Sequence, residues 1–382
     1  MQRARKQSGG RPDGRAGARL TLAARVAIED VMRVRKGERV VIVTNPEHDV
    51  RAISEALYEA SLARGAETSL IVQPRRSSVE FAADAAIHAL RSAPDVIISM
   101  SAEKLGRDRF GLEKAYRFPG VKGKWTHIFD ALRAAGKTRA FWSPSTTIDM
   151  FTRTVPVDYT AIRRQARRLK TALDRADRVQ ILAPGGTAIE IGLRGRAARL
   201  DDGAFWKPGS GGNLPAGETH ISPANYDAQG LLVFDGSISV VDGAGAFVPR
   251  KPVAVTVAGG LVTAVRGGAG AARLERSLRM GEAAARLMRG KPGWSAARVA
   301  GYVRNARHLG EIGIGLNPAA RITGNMLEDE KVLGTCHIAI GSNYDDDAEA
   351  FIHLDCLIQS PTIITIGPRG QLKLIMETGR IV

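Results

Sequence analysis

Histidine and acidic side chains interrupt three apolar, strand-like segments near the end of the chain. In residues 351–358, the two-residue period of a β-strand places His353 and Asp355 on one face, while the opposite face is apolar. His337 and Glu311 occupy equivalent positions in two earlier segments, and Glu311 shares its face with two glycines that leave room for a neighbouring group. An isolated histidine or acid on a strand is usually only hydrogen-bonded or solvated, but three such strands together favour a site with a chemical role.

A fourth segment adds Glu218 and His220 after a turn-rich loop. Carboxylate oxygens and imidazole nitrogens are ligands suited to Zn, Mn, Co or Fe(II). Three carboxylates together with two of the three histidines already exceed what a single structural ion requires, and they would suit two divalent ions that share a bridging carboxylate and a water. The sequence therefore predicts divalent metal ions as cofactors, with zinc, cobalt or manganese expected for a pair of ions and Fe(II) as the alternative.

Standard nucleotide-binding and nucleophile motifs are not found in the sequence. Gly120–Thr126 has the wrong glycine spacing for a Walker loop, and Gly268–Gly270 lacks the rest of a dinucleotide fingerprint. Cys336 and Cys356 lie in apolar strand patterns, which favours packed thiols over nucleophiles. Two cysteines without a CxxC pair predict no disulfide framework, and a reduced cytoplasmic protein is expected.

The first part of the chain has the pattern of an α/β fold. Residues 20–172 alternate between helical and strand patterns, and strands such as Arg39–Thr44 are apolar on both faces. Such strands indicate a parallel sheet that is covered by helices on both sides. This pattern predicts an α/β N-terminal domain with an open, mostly parallel sheet. Residues 1–19 are basic and show no periodicity, so we expect a flexible basic tail before it.

Residues 173–382 differ in character from this first domain. Short strands separated by turns dominate, and one long helix at 272–289 interrupts them. Their hairpin-like spacing predicts an α+β domain with mostly antiparallel strands, and an Arg-rich helix at about 158–174 is the expected connector. Because the acidic and histidine residues lie in these strands, we expect this second domain to bind the metal and to be catalytic.

Composition and charge narrow the class of protein further. The 382-residue chain is 44% hydrophobic and 25% charged, as in globular proteins of two domains. No apolar run reaches the length of a membrane span, so no membrane partner is expected. The formal charge of +16 raises the possibility of nucleic-acid binding, but with 5% aromatic residues no specific nucleic-acid partner is expected. A non-enzymatic binder that uses the tail and residues 163–175 is the alternative, although it leaves the acidic and histidine residues unexplained.

Five sequence blocks resemble the M29 metallo-aminopeptidase family (aminopeptidase T-like). They come in the family's order, span about residues 210–358 and are specific in combination. The basic tail lies outside the resemblance, and the first domain fits only in its general pattern. The blocks are Gly212–Glu218, Leu309–Pro318, Leu327–Lys331, Gly334–Gly341 and Ile352–Asp355.

The resemblance implies a set of functional residues and an assembly. Tyr344, seven residues after His337, matches the family's active-site tyrosine. The family usually forms dimers, so a homodimer is expected. The implied dinuclear metal ligands fall on Glu218, Glu311, His337, His353 and Asp355.

Two enzymatic hypotheses follow from the resemblance. In the first, two ions activate a water that hydrolyses an N-terminal peptide bond or related amide, Glu311 bridges the ions or accepts the water's proton, and Tyr344 donates a hydrogen bond to the oxyanion. In the second, the short stretch 341–350 resembles a branch that includes an iron-dependent dihydroxypyridine dioxygenase and an aromatic aminohydrolase. His337, His353 and Asp355 would then hold Fe(II), and the substrate would be a small aromatic compound.

Overall fold

The structure is a computed structural model that describes residues 14–243 and 245–382. A π-helical turn follows the first helix at Ala27–Val31. No helix in these described ranges is long and apolar enough to cross a membrane. The α-helices of the described chain are α1 (Gly14–Val26), α2 (His48–Ala63), α3 (Asp84–Arg91), α4 (Arg109–Glu113), α5 (Ile128–Ala134), α6 (Ile148–Thr154), α7 (Tyr159–Leu173), α8 (Gly268–Arg286), α9 (Ala296–Asn305) and α10 (Met326–Asp329).

The β-strands of the same ranges form three sheets. They are β1 (Arg39–Thr44), β2 (Glu67–Val72), β3 (Val96–Met100), β4 (Arg139–Trp142), β5 (Arg178–Leu182), β6 (Ala188–Gly192), β7 (Arg199–Asp201), β8 (Gly211–Asn213), β9 (Glu218–Ile221), β10 (Ala228–Phe234), β11 (Ile238–Ser239), β12 (Ala246–Phe247), β13 (Val253–Ala258), β14 (Leu261–Arg266), β15 (Leu309–Gly315), β16 (Thr335–Gly341), β17 (His353–Gln359), β18 (Thr362–Ile366), β19 (Leu372–Glu377) and β20 (Arg380–Ile381).

The chain divides into two compact units. The first contains the residues up to Pro156 together with Ala204–Leu214, and the second contains Val157–Gly203 together with Pro215–Val382. This division differs from the predicted boundary between residues 172 and 173. Helix α7, the expected connector, belongs to the second unit because its buried apolar face packs on β7 and β9.

A parallel sheet forms the centre of the first unit, as the sequence predicts. Its strand order is β2-β1-β3-β4-β8, and every neighbouring pair is parallel. Strand β3 is buried along its whole length, and β1 is exposed only at its first residue. Apolar side chains on both faces of these strands pack against helices, which is why the strands carry near-continuous apolar runs.

The first helix begins earlier than the sequence analysis expected. Helix α1 starts at Gly14, inside the segment 1–19 that was assigned to a flexible tail, because the helical pattern extends toward the N-terminus from the buried Leu20 and Ala23. Residues 1–13 of that segment lie outside the described residues. The predicted tail can therefore include at most the part before Gly14.

The second unit contains two antiparallel sheets, in agreement with the predicted α+β domain. Among the described residues, one sheet has eight strands in the order β14-β13-β10-β6-β5-β18-β19-β20. The other has seven strands in the order β12-β11-β17-β16-β15-β9-β7. The strands β15 and β16 in the middle of the seven-stranded sheet are buried at every residue, so any polar side chain on them is held in a fixed, mostly dry position.

His308, immediately before β15, is a buried histidine that should make stability depend on pH. Its side chain is fully buried, its ring packs on the ring of Tyr226 at 5.1 Å, and burial lowers its pKa to about 4. An unfolded histidine titrates near pH 6.5, so between about pH 4 and 6.5 the unfolded chain binds more protons than the folded one. Stability from this group is complete above pH 6.5 and is lost as the pH falls.

We expect His308→Gln to reduce the dependence of the free energy of unfolding on pH between about pH 4 and 6.5. The free energy of unfolding is measured with urea at pH 7 and at pH 4.5. Between these two pH values, that of the wild type should fall by up to about 3 kcal/mol more than that of the variant. The exposed His48 provides a matched control, and His48→Gln should leave the wild-type profile unchanged. Identical pH profiles for His308→Gln and the wild type would contradict the assignment of a neutral, buried imidazole.

Candidate metal centre

Four neighbouring strands of the seven-stranded sheet carry the acidic and histidine residues. These strands are β17, β16, β15 and β9, in that order across the sheet. Ala339 on β16 pairs with Glu311 on one side and with Asp355 on the other, so residues of one parity share a face. The donors on this face are Glu218 and His220 on β9, Glu311 on β15, His337 on β16, and His353 and Asp355 on β17.

Glu311 lies at the centre of this cluster. Its Oε1 atom is 3.4 Å from His337 Nε2, and its Oε2 atom is 3.3 Å from His353 Nε2. His353 Nε2 is also 3.2 Å from Asp355 Oδ1, and His337 Nε2 is 3.2 Å from Glu218 Oε1. Each oxygen of Glu311 therefore faces a different group of donors, which is the arrangement expected of a bridging carboxylate.

Access to the cluster is on the side of His353. The side chains of Glu218 and His337 are 4% and 1% exposed, whereas those of His353 and His220 are 21% and 18% exposed. Tyr344 is half exposed, and its ring lies 5.1 Å from the His353 ring and 5.5 Å from the His220 ring. A small molecule can thus approach the cluster between these two imidazoles and the phenol.

The short segment that carries Tyr344 is held by arginines. Arg199 on β7 donates hydrogen bonds to the Tyr344 carbonyl at 2.6 Å and to the Asp345 carboxylate at 2.8 Å. Arg196 pairs with Asp345 at 3.2 Å and with Asp347 at 2.9 Å. These bonds fix the stretch 341–350 against the rest of the second unit and so set the position of Tyr344.

Buried Lys331 balances the charge of the carboxylates at one end of the cluster. Its Nζ atom contacts Glu218, lies 3.1 Å from Asp201 and lies 2.8 Å from Glu330. Burial disfavours the ammonium ion, but Glu218 and the two other acids outweigh it and raise the pKa of Lys331 well above its usual value. Burial likewise opposes ionisation of Glu218, yet Lys331 and His337 lower its pKa to about 2. Glu218 is therefore an ionised carboxylate in a fixed position.

Glu330 behaves differently from Glu218 although it contacts the same lysine. Burial raises the pKa of Glu330 to about 8, against the opposing charge of Lys331. Glu330 is therefore much harder to ionise than Glu218, although both contact Lys331. Glu330 and Lys331 both lie in the block Leu327–Lys331, and the sequence indicates no role for either, because the contacts of Lys331 with Glu218 and Asp201 join distant parts of the chain.

The orientations of the histidines fit metal binding. His353 Nδ1 donates a hydrogen bond to the Ser342 carbonyl at 2.8 Å, which leaves Nε2 free to bind an ion. The buried Nδ1 atom of His220, which faces Glu218 and Glu311, has no hydrogen-bond partner among the described residues. Buried polar atoms without partners are uncommon and call for an explanation such as a bound ion. The donor set therefore fits one or two divalent transition-metal ions.

Three overlapping groups of donors are close enough together to hold an ion. Within each group, one ligand atom from every residue lies within 4.8 Å of the others. Glu311 belongs to two groups and Asp355 to two, so the groups are not independent sites. The groups are Glu218, His220 and Glu311; Glu311, His353 and Asp355; and Glu330, His337 and Asp355.

The structure brings together all the site residues that the sequence analysis named. Their roles as metal ligands, and that of Tyr344 in catalysis, stay predictions. His220 was noted in the sequence but was not carried into the predicted ligand set, and its Nδ1 lies 3.7 Å from Glu218 Oε1 and 4.0 Å from Glu311 Oε1. The two-residue spacing from Glu218 on a strand is the signal that places His220 on the same face.

Gly313 makes room for this arrangement. It lies on β15 between its strand partners His220 on β9 and His337 on β16. A Cβ atom at Gly313 would lie 2.1 Å from His337 Nε2 and 2.7 Å from Glu218 Oε1. The space that the sequence analysis inferred from the glycines is therefore filled by the imidazole of His337.

A family model matches most of the chain. The model of NicX, described as 2,5-dihydroxypyridine 5,6-dioxygenase, matches residues 27–339 of the 382. The matched range includes three of the five predicted metal ligands and ends before Tyr344. No curated protein sequence matches the chain.

Two solved structures share the fold over almost their whole length. The 2,5-dihydroxypyridine dioxygenase from Pseudomonas putida KT2440 has a TM-score of 0.69 and 17% identity, covering 96% of this chain and 97% of that chain. AmpT from Thermus thermophilus has a TM-score of 0.62 and 18% identity, covering 96% of this chain and 99% of that chain. The fold is thus common to both proteins, while the specific assignment to M29 metallo-aminopeptidases stays a prediction.

We expect Gly313→Ala to weaken metal binding by about tenfold or more, because the new methyl group must displace His337 and Glu218. Elemental analysis of the purified protein and titration with Zn²⁺ would measure the loss. Gly301→Ala is the matched control, since a Cβ there meets no atom within 4 Å and the position lies in helix α9. Full metal affinity in Gly313→Ala would contradict the described packing.

Proposed function

The chain belongs to the NicX family of 2,5-dihydroxypyridine 5,6-dioxygenases, and from this membership we propose that it is an Fe(II)-dependent enzyme that opens a hydroxylated, nitrogen-containing aromatic ring with O₂. The family match is the observation that carries the proposal. It is supported by the histidines and carboxylates that lie together on one face of a sheet in the second unit. Both oxygen atoms of O₂ enter the product of such a reaction, so no external reductant is needed.

We assign the iron to the two-histidine, one-carboxylate set of His337, His353 and Asp355, whose members come from two overlapping donor groups that share Asp355. Glu311 lies next to both imidazoles. Fe(II) bound there would supply the activation of O₂. The hydrogen bond from His353 Nδ1 to the Ser342 carbonyl keeps the ligating nitrogen directed at the cluster. Lys331 contacts Glu218 and keeps this neighbouring carboxylate ionised.

The residues at the open side of the cluster would bind the substrate. Burial, together with the charges of Glu311 and Asp355, raises the pKa of the Tyr344 phenol, so its hydroxyl keeps its proton and can donate a hydrogen bond to a ring oxygen. His220 Nδ1 has no hydrogen-bond partner among the described residues and can accept a proton from a substrate hydroxyl group. The flat rings of Tyr344, His220 and His353 suit a planar substrate better than an extended peptide.

A second candidate function is the hydrolysis of a peptide or other amide with two metal ions. The observation that favours it is the position of Glu311, whose two oxygens face two donor groups, one of which contains Glu218 and His220. In this function Glu218 and Asp355 would hold the ions, which would supply a water that is acidic enough to ionise near neutral pH. Glu311 would bridge the ions or accept the water's proton, and Tyr344 would donate to the oxyanion.

The ring-opening function predicts iron-dependent oxygen uptake. The protein is first loaded with Fe(II) in the absence of air and is then transferred to an air-saturated buffer. It should consume O₂ when 2,5-dihydroxypyridine is added, whereas protein loaded with zinc should not. His353→Ala should lower the rate by about a hundredfold or more, because it removes an iron ligand. His48→Ala, which changes an exposed histidine of the first unit, serves as the control. Equal rates with zinc and iron, or an unaffected rate in His353→Ala, would contradict the proposal.

Glu218→Gln separates the two candidate functions. A site with one iron at His337, His353 and Asp355 does not require the Glu218 carboxylate, so about one equivalent of iron and most of the oxygen uptake should remain. A two-metal hydrolase should lose about one of two metal equivalents together with its peptidase activity. Metal content by elemental mass spectrometry, measured beside both activities, decides between these outcomes.

A further inference from the structure

The first unit contains a cavity that none of the metal-centre residues lines. Its volume is about 420 Å³, which is in the range of small-molecule sites. Ser99 and Ser101 line it at the end of β3, and Trp142 and Ser143 line it at the end of β4. In open α/β sheets, ligands bind outside the carboxyl ends of the parallel strands, and this cavity lies there.

Arg133, from the end of helix α5, lines the cavity, and the nearby Asp130 acts on it electrostatically without forming a hydrogen bond or an ion pair with it. Its Nε atom is buried and makes no hydrogen bond, and no hydrogen bond or ion pair within the described residues engages the rest of its guanidinium. Burial lowers the pKa of Arg133 from its usual value, against the weaker opposing effect of Asp130. A buried donor left without an acceptor costs free energy, so an incoming acceptor would be favoured.

Aromatic rings hold this guanidinium in place. Its central carbon lies 4.6 Å from the centroid of the Trp142 ring and 5.9 Å from that of Phe129. The two rings pack edge to face, with centroids 5.6 Å apart. Cation–π contacts orient Arg133 but satisfy none of its N–H groups. The same rings give the cavity an apolar wall that suits a flat organic group.

Three other polar side chains of the cavity, His127, Ser99 and Ser101, already have hydrogen-bond partners within the protein. His127 Nδ1 accepts a hydrogen bond from the Phe129 N–H at 3.1 Å, and His127 Nε2 lies 3.2 Å from the Gly106 carbonyl. The hydroxyls of Ser99 and Ser101 bond to each other at 3.1 Å. Arg133, unlike these groups, has donors left for a ligand, as do the exposed Lys104 and Arg107.

The charge of the lining favours an anion. Besides Arg133, the lining contains the exposed side chains of Lys104 and Arg107, and Asp130 is the one carboxylate among the lining residues. The excess of positive charge should attract an organic acid, and the apolar wall should select one with a flat body. Arg133 offers the paired N–H groups that match a carboxylate.

We propose that this cavity is a binding site for a small aromatic carboxylate, whose carboxylate group pairs with the guanidinium of Arg133 and whose ring packs beside Trp142 and Phe129. The proposal concerns the first unit alone and holds whichever reaction the metal centre performs. It gives the protein a second small-molecule site, with a chemistry of its own.

Calorimetric titration of the full-length, metal-loaded protein with benzoate tests this site. Benzamide, which has the same shape and no charge, should bind at least about tenfold more weakly than benzoate, because it cannot form charge-assisted hydrogen bonds. Arg133→Gln should weaken benzoate binding by about tenfold or more. Arg64→Gln removes an exposed arginine of the same unit outside the cavity and should leave the affinity unchanged.

The metal centre is a second place where a carboxylate could bind, so the titration is repeated with His353→Ala. Unchanged benzoate binding in His353→Ala, together with its loss in Arg133→Gln, supports the proposal. If His353→Ala loses benzoate binding and Arg133→Gln retains it, the proposal is overturned. The absence of benzoate binding by the wild-type protein would also overturn it. The wild-type protein is also titrated with benzamide and with inorganic phosphate. An affinity for either that equals the affinity for benzoate would overturn the assignment to aromatic carboxylates.

Discussion

The balance of buried charge on one face of the seven-stranded sheet is the constraint on which the second unit depends. Glu218 and Glu311 are nearly inaccessible to water, and Glu330 and Asp201 lie beside them. Ionised carboxylates in such a place are tolerated only when cations accompany them. Lys331 supplies one cation. The neighbouring acids raise the pKa values of His337 and His353 despite burial, so these histidines supply further positive charge when they are protonated. A bound metal ion would take over this role and release protons.

The antiparallel sheet makes the balance possible because it fixes register. Each donor on β9, β15, β16 and β17 is placed by hydrogen bonds to its neighbours, so the distances between ligands do not depend on flexible loops. Gly313 lies at the crowded centre of this face, where a larger residue would remove the space for His337. Tyr344 comes instead from a loop, and the arginines on and beside β7 give that loop a defined position.

The two units place a cation with little exposure to water in opposite surroundings, since Lys331 is buried and Arg133 is partly buried. Lys331 in the second unit is surrounded by carboxylates and holds Glu218 in place, so its charge is used within the protein. Arg133 in the first unit is held by aromatic rings and forms no ion pair among the described residues, so its charge is available to a ligand. Their different surroundings give these two cations different roles.

The fold class and the cluster of histidine and acidic residues could be predicted from the amino-acid sequence alone, because both follow from local periodicity. Apolar strands between helices predicted the parallel sheet, and the two-residue strand period placed His353 and Asp355 on one face. The start of α1, the membership of α7 in the second unit and the role of Lys331 were decided only by the tertiary structure. Lys331 lies 113 residues from Glu218 along the chain, and no local pattern reports a contact between them. Such contacts arise from strand register and packing, which bring distant segments together only in the folded protein.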